Sequence, residues 1–112
     1  MNPLEIMAFE DVRRAGEAGC AVAALSADLT QVLWHNEAAD TLTSGTPSPL
    51  SRIREFAGAL MRDGEVTTRL PTQSGAGFVS ITIRLRMAVA AAGDEFVLLS
   101  SLHPMALSLI HI

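Results

Sequence analysis

Cysteine is almost missing from this 112-residue chain. Cys20 stands alone, which excludes an internal disulfide and any zinc site built from several cysteines. Long apolar runs are missing too; none approaches the roughly 20 residues that a membrane-spanning helix needs. No basic-then-apolar leader pattern opens the sequence. Clusters of basic residues are absent and the net charge is -4, which argues against nucleic acid as a partner. No His-x-x-x-His or Cys-x-x-Cys spacing brings metal ligands onto one element. These absences predict a cytoplasmic domain with no direct membrane insertion. What is present is apolar residue, nearly half of the chain, enough to build the core of one domain of this length.

The patterning predicts a helix over residues 2–15. Asn2 can cap it, Pro3 suits the first helical position, and Glu5 lies three residues after the cap. Leu4, Met7, Ala8 and Ala15 fall on one stripe with Val12 beside it, while Glu10, Arg13, Arg14 and Glu17 lie mainly elsewhere. Gly16 or Gly19 can end it. Such a stripe packs either on its own sheet or on a second copy of itself. Val22 to Leu25 then reads as a small apolar strand, Ser26-Ala27-Asp28 as a turn, and Val32-Leu33-Trp34 as a second strand. Asn36 precedes Glu37-Ala38-Ala39, where its side-chain oxygen can cap a helix and Glu37 complements the dipole.

Thr43 to Pro49 is a loop by composition. Ser48-Pro49 opens a further helix, in which Leu50, Ile53, Phe56, Ala57, Leu60 and Met61 recur at helical spacing before Asp63-Gly64 stops it. Glu65 to Pro71 alternates Val66, Thr68 and Leu70 against Thr67 and Arg69, a half-buried strand. After a turn at Gln73–Gly77 comes the clearest strand, Phe78 to Met87. Val79, Ile81, Ile83, Leu85 and Met87 take one face, and Ser80, Thr82, Arg84 and Arg86 the other. Ala90–Asp94 turns the chain into a last strand over Glu95 to Leu102. The apolar tail, Met105 to Ile112, is either the start of a connecting helix or a segment foreign to the domain.

The segment Trp34-His35-Asn36-Glu37-Ala38-Ala39, a hairpin strand followed by an Asn-introduced helix, resembles the opening of a PAS domain. The order of elements (helix, two strands, two helices, three strands) is similar to that family over roughly residues 20–103. Two departures stand out. Leu29-Thr30 occupies a place where the family often has Gly after the Asp, and Ser100-Ser101-Leu102-His103-Pro104 replaces its Asp-x-Thr-like junction. The resemblance implies an α+β fold with a five-stranded antiparallel sheet, helices on one face and an N-terminal flanking helix. Residues 1–19 would be that helix, 20–103 the PAS domain and 104–112 a C-terminal linker. It also implies a sensory or protein-interaction role in a bacterial signalling protein, above all a sensor histidine kinase, working as a homodimer whose stripe is Leu4, Met7, Ala8 and Ala15. Other signalling domains or proteins would be its further partners.

Within that family, flavin is held beside a Cys set among Asn, Arg and Gln early in the helical region, and haem by an axial His, usually on the helix that Leu50 to Met61 would form. Neither residue stands there, so flavin and haem are disfavoured and no cofactor is expected. No catalytic set emerges from the residues themselves. His35, His103 and His111 read as surface or edge histidines, and Cys20 as a buried inert thiol. Asp28, Glu37 and Asp40 are explained by turn and cap positions. Gly75-Ala76-Gly77 precedes a strand, whereas a phosphate loop opens a helix. Phe56, Leu60, Ile81 and Ile83 either line a small apolar ligand pocket or simply fill the core. With no phosphoacceptor motif and no ATP-binding glycine box, the chain itself is expected to have no enzymatic activity. Two alternatives remain: a profilin-like or roadblock-like interaction scaffold, and a cone-shaped α+β isomerase-type enzyme. The latter needs an Asp or His in an apolar cavity, and the inward face of Val79–Met87 offers none.

Overall fold

The computed structural model describes residues 6, 9–43, 49–74 and 77–104. Helix α1 (Glu10–Glu17) leads into strands β1 (Cys20–Ser26) and β2 (Val32–His35). A 3-10 turn (Glu37–Ala39), helix α2 (Asp40–Thr43), a longer 3-10 stretch (Pro49–Phe56) and helix α3 (Ala57–Asp63) follow, and then strands β3 (Glu65–Ser74), β4 (Gly77–Val89) and β5 (Glu95–Pro104). The strands make one antiparallel sheet in the order β2-β1-β5-β4-β3. The first and last strands therefore lie side by side within the sheet. Pro71 is confined to β3, an edge strand, where a missing ladder donor is tolerated.

Each face of the sheet has its own apolar layer. Ala21, Ala23 and Leu25 of β1, Leu70 of β3, Ile83 and Leu85 of β4, and Val97 and Leu99 of β5 point inward, where Leu29, Ala39, Leu42, Ile53 and Leu60 cover them. On the outer face, Val22, Ala24, Phe96 and Leu98 meet Ile6 and Val12, with Phe9, Ala15 and Trp34 packed alongside. Strands β1 and β5 are thus buried on both sides, which is why they read as apolar runs rather than as alternating strands. The alternation on β4 holds at its centre: Ile83 and Leu85 are buried while Thr82, Arg84 and Arg86 are only partly covered. Ile81 and Met87 are also partly covered, and the side chains of Phe78 and Val79 lie outside the described ones. On β3 the same alternation puts Leu70 inside and Thr67 and Arg69 outside.

Two sequence expectations need correction. The helix expected over 2–15 is interrupted at Phe9, which is extended (φ -67°, ψ 130°) and offers no side-chain cap; Ile6 is helical before it, and α1 runs from Glu10. The Phe9 ring instead meets Phe96 edge-on, with centroids 5.7 Å apart, a contact that holds Phe9 against the sheet. The end is as expected: Gly19 takes a left-handed φ of 82°, and its amide donates to the Gly16 carbonyl. Of the stripe, Ala15 packs on the chain's own sheet, whereas Asn2, Pro3, Leu4, Met7 and Ala8 lie outside the described residues. The second correction is Met61, which is 82% exposed rather than on the apolar stripe. The segment runs as a 3-10 helix to Phe56 and as an α-helix from Ala57. Three residues per turn give way to 3.6, so the inward direction drifts; Leu60 faces in and Met61 faces out. The expected Ser48 cap, the loop residues 44–48, Gly75-Ala76 and the tail Met105–Ile112 also lie outside the described residues.

The turn between β1 and β2 holds a non-glycine residue in a left-handed backbone. Leu29 has φ 63° yet is 5% exposed, with its side chain in the inner layer. A left-handed backbone costs a non-glycine residue roughly 1–2 kcal/mol, and burial of a leucine offsets it. Leu29→Ala keeps the strain and loses about 2–5 kcal/mol of packing. Leu29→Gly loses slightly more packing but relieves the strain. Urea unfolding should therefore find the Gly variant at least as stable as the Ala variant; a clearly weaker Gly variant would remove strain from the explanation.

Candidate functional site

The polar groups that carry structural information converge at the start of β1, where chain entry, helical segment and chain exit meet. Strand β1 pairs with β5 through Cys20–Pro104 and Val22–Ser100, and the register shifts between the two pairs. A shift of this kind takes backbone amides out of the ladder and leaves them needing partners. Ser101 supplies one on the β5 edge, and Asn36 supplies partners on the opposite edge of β1, beyond its last pair with β2. Ser101, 3% exposed, accepts from the Ala21 amide at 2.9 Å through its hydroxyl oxygen, and donates the hydroxyl proton to the His103 carbonyl at 2.8 Å. Asn36 Oδ1 accepts from the Val22 amide at 3.0 Å and from the Ala39 amide at 3.1 Å. Asn36 Nδ2 donates to the Cys20 carbonyl at 3.0 Å, and the Asn36 amide itself donates to the Val22 carbonyl.

Asn36 is therefore more than the helix cap its position predicts. It is at once the cap and a bridge from the helical segment to β1. That dual task needs an acceptor and a donor on one short planar group, which is what a carboxamide offers. Ser101 performs the matching task at the other end, joining β5 to the Ala21 amide of β1. A residue-level signal for Ser101 was present in the sequence: inward positions of β5 run Val97, Leu99, Ser101, so a hydroxyl lies on an otherwise apolar face. The bulge that employs it gives no comparable signal.

The other polar residues act locally. Asp28 Oδ1 accepts from the Thr30 hydroxyl at 2.6 Å, the Ser26 hydroxyl at 2.7 Å and the Thr30 amide at 3.1 Å. These bonds, the Thr30 hydroxyl foremost, lower its pKa to about 2, so the turn is held by an ionised carboxylate. His35 Nδ1 lies 3.0 Å from the Asn36 carbonyl and 3.3 Å from Asp40 Oδ1, at the opening of the helical segment. Glu37 lies in the first turn after Asn36, as its sequence position implies. Cys20 is a buried free thiol, and His103 is exposed; His111 lies outside the described residues. Among the described residues, no three His, Cys, Asp or Glu side chains come together as a metal-binding group.

The four residues of the candidate apolar pocket do come together. Leu60 and Ile83 belong to the buried inner layer, with Phe56 and Ile81 partly buried against it. A hollow of about 180 Å³ lies on the opposite face of the sheet, in the seam between α1 and strands β4 and β5. Among the described residues, no helix is long and apolar enough to cross a membrane. No protein-family model, curated protein or solved structure matches the chain.

Proposed function

We propose that this chain is a PAS-type sensory and protein-interaction module of a bacterial signalling protein, with a sensor histidine kinase as the parent. It acts in the cytoplasm, needs no cofactor and carries no catalytic step of its own. The observation that carries the reading is the convergence at β1. Asn36 ties the helical segment to the first strand, and Ser101 ties the last strand to the same place. A change in packing of the helices on one face reaches both chain ends through these hydrogen bonds, without any chemistry. The order of elements and the Asn36-led segment support the family assignment.

The relay is expected to work in a homodimer paired through the N-terminal segment. Sedimentation over a range of concentrations should show the parent chain dimerising, and Leu4→Glu with Met7→Glu should weaken that dimer while the fold persists. A parent that stays monomeric at high concentration sinks the dimer relay, as does a fully dimeric double variant. A second reading, an interaction scaffold of the profilin or roadblock type, draws support from the placement of α1 on the outer face with the other helices on the inner one. It shares the fold but predicts a binding surface without a transmitted change.

A further inference from the structure

We propose that the seam between α1 and strands β4 and β5 binds a small carboxylate carrying one apolar ring. Val12 and Ala15 of α1, Val22 of β1 and Leu98 of β5 give the hollow apolar walls, and Arg84 and Arg86 of β4 give it a cationic one. Its volume, about 180 Å³, is on the scale of the roughly 150 Å³ cavity that accepts a benzene molecule. A single ring is therefore of the size the hollow accepts.

The cationic wall selects the other end of the ligand. Arg84 and Arg86 are two residues apart on one strand and project from the same face, about 7 Å apart along it. In register, Arg84 stands opposite Ser100 and Arg86 opposite Leu98, so a hydroxyl and an apolar side chain flank the pair. Every basic residue of the chain other than histidine is an arginine, the side chain whose planar fork matches a carboxylate. Glu65 already shows that the wall accepts one: its Oε1 lies 3.5 Å from Arg84 Nε, and its backbone pairs with that of Arg86. That distance is long for a charge-assisted hydrogen bond, and Glu65 is about half exposed, so an incoming carboxylate can share or displace it. Among the described residues lining the hollow there is no acidic side chain.

The site lies on the face opposite the candidate pocket at Phe56, Leu60, Ile81 and Ile83, and the proposal stands whether or not the domain relays a signal. The probe is phenylacetate, titrated into the isotopically labelled full chain and followed by amide chemical shifts. Saturating shifts are expected at Val22, Arg84, Leu98 and Ser100, with a dissociation constant on the order of 1 mM. Phenylacetamide, equal in shape but uncharged, should bind about tenfold more weakly, and so should acetate, which lacks the ring. Arg84→Gln with Arg86→Gln should weaken phenylacetate about tenfold or more, and Glu65→Gln should tighten it several-fold. Equal binding of phenylacetamide or of acetate overturns the proposal. So do shifts confined to the inner face, or no saturation in the parent chain. If the double arginine variant does not fold, Glu65→Gln and the neutral isostere still decide: no tightening together with no discrimination counts as failure.

Discussion

Ile83→Asp should abolish the cooperative thermal transition, whereas Thr82→Asp should melt within a few degrees of the parent. Ile83 is fully buried in the inner layer, between Thr68 of β3 and Ser101 of β5. The substitution loses the packing of a large aliphatic side chain, about 2–5 kcal/mol by analogy with truncation to alanine. It also buries a carboxylate in a layer that, among the described residues, is apolar, which costs several kcal/mol more or forces the group to take up a proton. Together these rival the whole stability of a typical domain, about 5–15 kcal/mol. Thr82 is the adjacent residue on the opposite face, partly exposed and paired across the ladder with Arg69. An aspartate there remains hydrated and faces a guanidinium, so its effect should stay within about 1 kcal/mol, a shift of roughly 4–8 °C for a domain of this size. Thermal melts of the two variants beside Ile83→Val, which should cost only about 0.5–1.5 kcal/mol, make the comparison internal. Equal melting of the two aspartate variants would mean that the faces of β4 are reversed.

That prediction could be written from the sequence because β4 alternates strictly, and a one-residue slip would turn every apolar side chain to water. Leu70 on β3 and the Gly64 stop were legible for similarly local reasons. Gly64 has φ 77°, a conformation that glycine adopts without penalty, and its amide closes the helix on the Leu60 carbonyl. The features that were not legible depend on long-range partners. Phe9 ends its helical neighbourhood because Phe96, far along the chain, supplies a ring for it to meet. Met61 was misplaced because a change from 3-10 to α geometry leaves no mark in apolar spacing. The Arg84–Arg86 wall was visible only as the polar face of a strand. That α1 and Leu98 make it one side of a hollow follows from the sheet order, which places β5 beside both β1 and β4. The candidate site divides in the same way: the cap at Asn36 is a local pattern, but its bridge to β1 depends on the end of β2 lying beside Cys20 and Val22.

Asn36→Ala is accordingly expected to cost about 2–4 kcal/mol, more than the ~1 kcal/mol of a lost cap alone. Three side-chain hydrogen bonds disappear: those from Val22 N and Ala39 N, and that to Cys20 O. Each is partly shielded, and each leaves a backbone group at the start of β1 or of the helical segment without its partner. Asn36→Ser separates the two tasks. A serine hydroxyl can still accept from the Ala39 amide, but it is too short to hold both Val22 and Cys20, so it should restore only about 1 kcal/mol. Asn36→Asp keeps the acceptor for both amides but sets a carboxylate oxygen against the Cys20 carbonyl, so it should fall between Ser and the parent only if that repulsion is weak. Urea unfolding ranks the variants, and Cys20 adds a local readout because it is the chain's single thiol and is buried next to the lost contact. Thiol labelling under native conditions should speed up in Asn36→Ala and Asn36→Ser alike, since neither can hold the Cys20 carbonyl. An alanine variant that loses only the cap's ~1 kcal/mol, with Cys20 labelled at the parent's rate, would show that the bridge to β1 carries no load. The relay would then lose its link between the helical segment and the first strand.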